Sequence, residues 1–116
     1  MATVSGKAAS LDLVIEKNAD FSVQLTWTDS LGAPIDLSGY TADFTAKDAT
    51  GATIINLTEL AGITLGGVLG TIVIAIEDAV TATYTFDCID YRLLLTDGSD
   101  FVTRLTKGQV VLDVVF

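Results

Sequence analysis

The residues from Phe21 to Thr28 alternate without a break, and that alternation constrains the fold more than any other stretch. Phe21, Val23, Leu25 and Trp27 point one way; Ser22, Gln24, Thr26 and Thr28 point the other. Side chains on a strand alternate with period two, so this is a strand with one buried face and one wet face. A polar turn follows, Asp29-Ser30-Leu31-Gly32-Ala33-Pro34, ending in the only proline of the chain. Its fixed φ and missing N–H suit a turn. Ile35-Asp36-Leu37-Ser38-Gly39-Tyr40 then leads into the next strand.

The same reading extends in both directions. Leu11 to Glu16 alternates and forms a first strand, closed by the turn Lys17-Asn18-Ala19-Asp20. Thr41 to Lys47 and Ala52 to Thr58 flank Asp48-Ala49-Thr50-Gly51, a hairpin turn. Ile63 to Leu65 and Gly70 to Ile76 flank Gly66-Gly67. Ile72, Ile74 and Ile76 stand against Val73 and Ala75, so both faces of that strand are apolar. This predicts a central strand covered on both sides, within the domain or by a partner. Glu77 to Thr83 is the one helical candidate, its acidic start suiting a helix N-terminus. Tyr84 to Thr96 is a long strand or strand pair, with Tyr91, Leu93 and Leu95 on one face. Asp97-Gly98-Ser99-Asp100 carries the Asp-Gly hairpin signal. Phe101 to Thr106 alternates, Lys107-Gly108 breaks it, and Gln109 to Phe116 closes the chain. Turns spaced by about eight to twelve residues mark an all-β sandwich. Residues 1–10 are small, polar and aperiodic, and read as a flexible arm ahead of one domain over 11–116.

At 116 residues the chain makes one domain with a real core. Half of it is apolar and only 18% is charged, against about 25% for an average soluble domain. So few charges on a small particle predict that part of its surface is buried against another chain. The net charge of −9 argues against nucleic acid and anionic membrane surfaces as partners. The uncharged run Leu60 to Ile76 is flanked by Glu59 and Glu77-Asp78 and broken by Gly66-Gly67, so it reads as paired strands and not as a membrane helix. Residues 1–10 lack the continuous apolar core of a signal peptide, which predicts synthesis in a cytoplasm.

No constellation announces chemistry. With no histidine, neither a Ser-His-Asp triad nor a histidine metal site is available. Cys88 is the lone cysteine, and its strand position predicts a small buried hydrophobe. Asp87 with Asp90, or Asp97 with Asp100, is the nearest thing to a carboxylate pair, and Asp97 to Asp100 the nearest to a calcium loop. All four lie at turns or strand ends, where aspartate serves local hydrogen bonds. The expectation is therefore no enzyme, no cofactor and no metal. Trp27 belongs to the stripe of Phe21, Val23 and Leu25, so it reads as core and not as a sugar platform. Tyr40 and Tyr91 suit the core edge or a subunit interface.

One family resemblance rests on these residues. Lys17-Asn18-Ala19-Asp20-Phe21, the alternating strand, and Asp29 to Tyr40 resemble small tailed-phage virion proteins. They are similar to the immunoglobulin-like N-terminal domain of the phage baseplate upper protein family. Tyr91-Arg92-Leu93-Leu94-Leu95-Thr96-Asp97-Gly98, then Thr103-Arg104-Leu105 and Gly108-Gln109-Val110, look like that family's closing strands. Asn18-Ala19 departs from it where a glycine is usual. The resemblance implies a β-sandwich that attaches to a virion and assembles in rings or clusters, without catalytic residues. The expected fold is thus an immunoglobulin-like antiparallel β-sandwich of about seven to nine strands with at most one short helix. The expected function is that of a virion structural protein, made in the host cytoplasm. It would self-associate and bind other virion proteins in the tail or baseplate. A capsid decoration or cement protein and a glycan-binding surface module are the alternatives. Val73, Ala75, Val111, Val115 and Phe116 are the candidate interface residues.

Overall fold

The computed structural model describes residues 2–5, 9–29 and 31–113, with 2–5 and Ala9 as backbone only. Its strands are β1 (Ala2–Ser5), β2 (Ala9–Ser10), β3 (Leu13–Glu16), β4 (Phe21–Thr28), β5 (Thr41–Lys47), β6 (Thr53–Thr58), β7 (Ile63–Leu65), β8 (Thr71–Ile76), β9 (Cys88–Thr96) and β10 (Val102–Asp113). A 3-10 turn spans Gly67–Leu69, and the short helix α1 spans Asp78–Thr81. The strands form two sheets. The first runs β1-β4-β8-β7; the second runs β2-β10-β9-β5-β6, with β3 also on β10. The fold is an immunoglobulin-like β-sandwich with one short helix, as the turn spacing predicts. Three pairings at the sheet edges are parallel, β1 with β4 and both β2 and β3 with β10, and alternation alone does not disclose them.

Those pairings correct the expectation of a flexible arm. Residues 2–5 add a strand to the first sheet and residues 9–10 add one to the second; Met1 and residues 6–8 lie outside the described residues. β2 and β3 keep a single register along β10, from Thr106 opposite Ala9 to Asp113 opposite Glu16. The one interruption is at Leu11-Asp12, which faces Gly108. There the Leu11 N–H donates to the Lys107 carbonyl at 2.9 Å, Asp12 Oδ1 accepts the Gln109 N–H at 3.0 Å, and the Tyr91 hydroxyl donates to the Leu11 carbonyl. A Cβ on residue 108 would stand 2.8 Å from Asp12 Oδ1 and against the Leu11 carbonyl. Lys107-Gly108 is therefore not a break: β10 runs straight through it, and glycine is what lets the interrupted strand approach. The irregularity in β10 falls earlier, as a register shift between Arg104 and Thr106.

The core lies between the sheets. Leu25 and Trp27 of β4 and Ile72, Ile74 and Ile76 of β8 meet Phe44, Ile89, Tyr91, Leu93, Leu95 and Val110 from the other sheet. Phe44 stacks on Tyr91 with ring centres 4.9 Å apart, and Trp27 takes Tyr40 edge-on at 6.1 Å. Trp27 is 8% exposed, which removes it as a surface platform. The segment after β4 folds back on it: Thr28 bridges Pro34, the Ile35 N–H donates to the Trp27 carbonyl at 2.9 Å, and Leu37 enters the core at 2% exposure. Burying a leucine this fully is worth about 2 kcal/mol. That anchor fixes the entry into β5. Tyr84 is buried and touches Phe86, but residues 84–87 are not strand; β9 begins at Cys88.

Three connections share one turn geometry. In 29–33, 48–52 and 97–101 an aspartate opens the turn, its backbone bonds residues three and four further on, and its Oδ1 accepts two N–H groups across the loop. The fourth residue is left-handed in each: Gly32 at φ 86°, Gly51 at φ 87° and Asp100 at φ 64°. The Asp97-Gly98 pair is thus not the two-residue turn its sequence predicts. Gly98 has an ordinary φ, and Asp100 takes the position that glycine fills in the other two. Asn18 is likewise left-handed, at φ 68°; asparagine tolerates that region because its short side chain bonds locally.

Candidate interaction surfaces

The two sheets present very different outer faces. On the first sheet Ser22 lies beside Ala75, Gln24 beside Val73 with Thr64 next to it, and Thr26 beside Thr71. None of these outward residues is charged. Val73 is half-buried and Ala75 exposed. β8 is central in its sheet, as its apolar sequence predicts, but its outer face is only partly buried among the described residues. On the second sheet Lys47, Arg92, Arg104 and Lys107 point outward and alternate with Asp43 and Asp90. Asp43 Oδ1 accepts hydrogen bonds from the Thr45 hydroxyl at 2.7 Å and from Asn56 Nδ2 at 2.9 Å. That face reads as a solvated polar surface.

Val111 lies at the lower end of the second face, in a row with Cys88 on β9 and Val14 on β3. All three are exposed. Cys88 is therefore not a buried hydrophobe. Burial along β9 follows Ile89, Tyr91, Leu93 and Leu95, and Cys88 is out of phase with them. The sequence alternation already places it outward; the general preference of cysteine for interiors points the wrong way here. Val115 and Phe116 lie outside the described residues. Val73 and Ala75 thus share one surface and Val111 belongs to another, on the opposite side of the sandwich.

The aspartates considered for chemistry are turn residues or isolated. Asp97 uses Oδ1 on the Ser99 and Phe101 N–H groups. Asp90 stands on the outer face opposite Lys47 and Gln109, and Asp87 lies exposed where its carbonyl takes the Leu112 N–H. Among the described residues no three His, Cys, Asp or Glu side chains are grouped to hold a metal ion. Two turn carboxylates are tuned by their own loops. The Ser38 hydroxyl and N–H hold Asp36 below its ordinary value, and the Thr50 hydroxyl does the same for Asp48, helped by the Ala52 N–H. Burial pushes the Tyr91 and Tyr84 hydroxyls up. An open cleft between the 48–52 turn and residues 83–89 is lined by Asp48, Asp87 and Cys88, and Asp48 is committed to its turn.

A third surface was not singled out by the sequence. The connections 29–40, 66–70 and 97–101 leave the sandwich at one end, where Thr28, Thr71, Thr41, Thr96 and Val102 start or finish their strands. Glu59 joins them, in a hollow shared with Ser38, Tyr40, Leu65 and Gly67. Leu31 and, next to Glu59, Leu60 are each 91% exposed, and Val68, Leu69 and Phe101 are 64% or more. The available signal was an apolar residue inside each turn, where polar residues dominate.

No protein-family model matches the chain, and no curated protein matches it. Solved structures do. The N-terminal domain of phage TP901-1 ORF48 is similar at a TM-score of 0.57 and 12% identity, over 97% of this chain and 99% of that one. Fibronectin(III)-like modules of Clostridium thermocellum CbhA are similar at a TM-score of 0.45 and 7% identity, over 98% of each chain. At such identities the likeness is one of fold, and the ORF48 domain shares this chain's β-sandwich along nearly its whole length.

Proposed function

We propose that this chain is a non-enzymatic structural protein of a tailed-phage virion, which self-associates and attaches to the tail or baseplate. The observation that carries the reading is the outer face of the first sheet. A chain of net charge −9 keeps that face free of charge across Ser22, Gln24, Thr26, Thr64, Thr71, Val73 and Ala75. Two copies meeting there oppose no like charges and strand no ionised group in a dry interface. Val73 and Ala75 supply the apolar centre, and the threonines a rim that bonds to protein or water. The sequence resemblance to the baseplate upper protein family and the shared fold with a domain of a phage protein both favour the virion setting. Val111, with Val14 and Cys88, is a smaller apolar row suited to a further contact in the assembly.

Native mass spectrometry of the full chain tests the reading. A stable trimer, hexamer or larger ring is the expected result. A chain that stays monomeric at its solubility limit does not self-associate.

A further inference from the structure

We infer that the loop end bearing Leu31, Leu60, Val68, Leu69 and Phe101 is a docking surface for a different protein, one offering an apolar site with a basic rim. This goes beyond self-association through the first sheet and does not depend on it.

Three observations lead there. The first is segregation. Leu31, Leu60, Val68, Leu69 and Phe101 are among the most exposed large apolar side chains of the domain. Leu31, Val68, Leu69 and Phe101 sit on connections at one end, and Leu60 follows Glu59, which lines the hollow there with Ser38 and Tyr40. The opposite end, built from the 17–20 and 48–52 turns and residues 77–87, exposes Val80 among polar and acidic residues. Singly scattered apolar residues need no explanation; a cluster at one end does.

The second is rigidity. Leu31 N–H donates to Asp29 Oδ1 at 2.9 Å, and Phe101 N–H to Asp97 Oδ1 at 3.0 Å. Leu60 sits in a turn closed by reciprocal backbone bonds between Thr58 and Ala61. Val68 and Leu69 ride on the 3-10 turn, whose Gly67 carbonyl takes the Leu37 N–H at 2.9 Å. Gly70 ends that turn in the left-handed region at φ 67°, and a Cβ there would stand 2.8 Å from the Trp27 carbonyl. The apolar tips are thus held in place before any partner arrives, which lowers the ordering cost of binding.

The third is charge, and it selects the occupant. These loops carry Asp29, Asp36, Glu59, Asp97 and Asp100, and among their described residues no lysine or arginine. A second copy docking the same end would set carboxylates against carboxylates. An anionic lipid surface is repelled in the same way. Apolar anchors inside an acidic rim fit a basic-rimmed apolar site, and the charge also steers the encounter.

The test uses a synthetic amphipathic peptide of leucine and lysine, its leucine and glutamate counterpart, and an amide NMR titration of the full chain. The lysine peptide is expected to shift amides around Leu31, Leu60, Val68, Leu69 and Phe101. It should bind roughly tenfold or more tighter than the glutamate peptide, and the triple variant Leu31→Ser, Leu60→Ser, Phe101→Ser should lose roughly tenfold or more of that affinity. All three positions are exposed, so the variant keeps its fold, which its unchanged unfolding transition verifies. Shifts centred on either sheet face, equal affinity for both peptides, or binding indifferent to the triple variant would overturn the inference. So would dissociation of the native oligomer by the triple variant, since the occupant would then be a second copy. Equal binding to phosphatidylcholine vesicles would make it a lipid-inserting end instead and would also overturn it.

Discussion

Replacing Gly108 by alanine is the sharpest test of how the two halves of the N-terminal strand are held on β10. The added methyl would press on the Leu11 carbonyl and stand 2.8 Å from Asp12 Oδ1, so Leu11-Asp12 must move. Three hydrogen bonds depend on their position: Leu11 N–H to Lys107, Gln109 N–H to Asp12, and the Tyr91 hydroxyl to Leu11. At about 1 kcal/mol net for each bond, losing two or three destabilises the domain by roughly 2–3 kcal/mol. Gly98→Ala is the matched control, because a Cβ there meets nothing within 4 Å and the backbone needs no left-handed residue. It should stay within about 0.5 kcal/mol of the parent. Urea unfolding with an unchanged slope measures both, and amide exchange at Gln109 reports the local opening. A Gly108→Ala protein as stable as Gly98→Ala, with Gln109 still protected, would refute the close approach.

Other outcomes follow from the turns and the surface. Asp100→Gly places the favoured residue at the left-handed position of the 97–101 turn, so stability should rise by about 0.5–1 kcal/mol in the same assay. Asp36 and Asp48 have depressed values in the folded state. Their contribution is complete above the ordinary value of 3.8 and lost as pH falls through the folded values, so Asp36→Asn with Asp48→Asn should flatten the acid limb of a stability–pH curve. Cys88, outward on β9, should react with a thiol reagent in the native monomer nearly as fast as in the unfolded chain.

Much of this architecture is local and therefore readable. Phe21 to Thr28 and Thr41 to Lys47 carry unbroken alternation, and the strands fall on those residues. Gly66-Gly67 separates β7 from β8 as turn chemistry requires, and the acidic start at Glu77-Asp78 does begin a helix. What escaped is set by partners distant in sequence. Residues 2–5 are ordered by β4 and residues 9–10 by β10, and neither segment shows a period of its own. Lys107-Gly108 resembles a breaker until Leu11 and Asp12 are seen against it. Asp97-Gly98 signals one turn and adopts another because Asp100 accepts the left-handed position. The interaction surfaces were half legible. Val73 and Ala75 follow from the two-faced apolar pattern of β8. The grouping of Leu31, Leu60 and Phe101 depends on which connections leave from the same end, and only the topology supplies that.

Assembly through the uncharged face of the first sheet requires that a charge placed there break it. Sedimentation equilibrium of Val73→Glu beside Gln109→Glu tests it most directly, since each adds one negative charge to an outward strand position, on opposite faces. Val73→Glu should dissociate the native oligomer to folded monomers, while Gln109→Glu leaves it assembled. An oligomer that tolerates Val73→Glu, or one broken by Gln109→Glu alone, would contradict it.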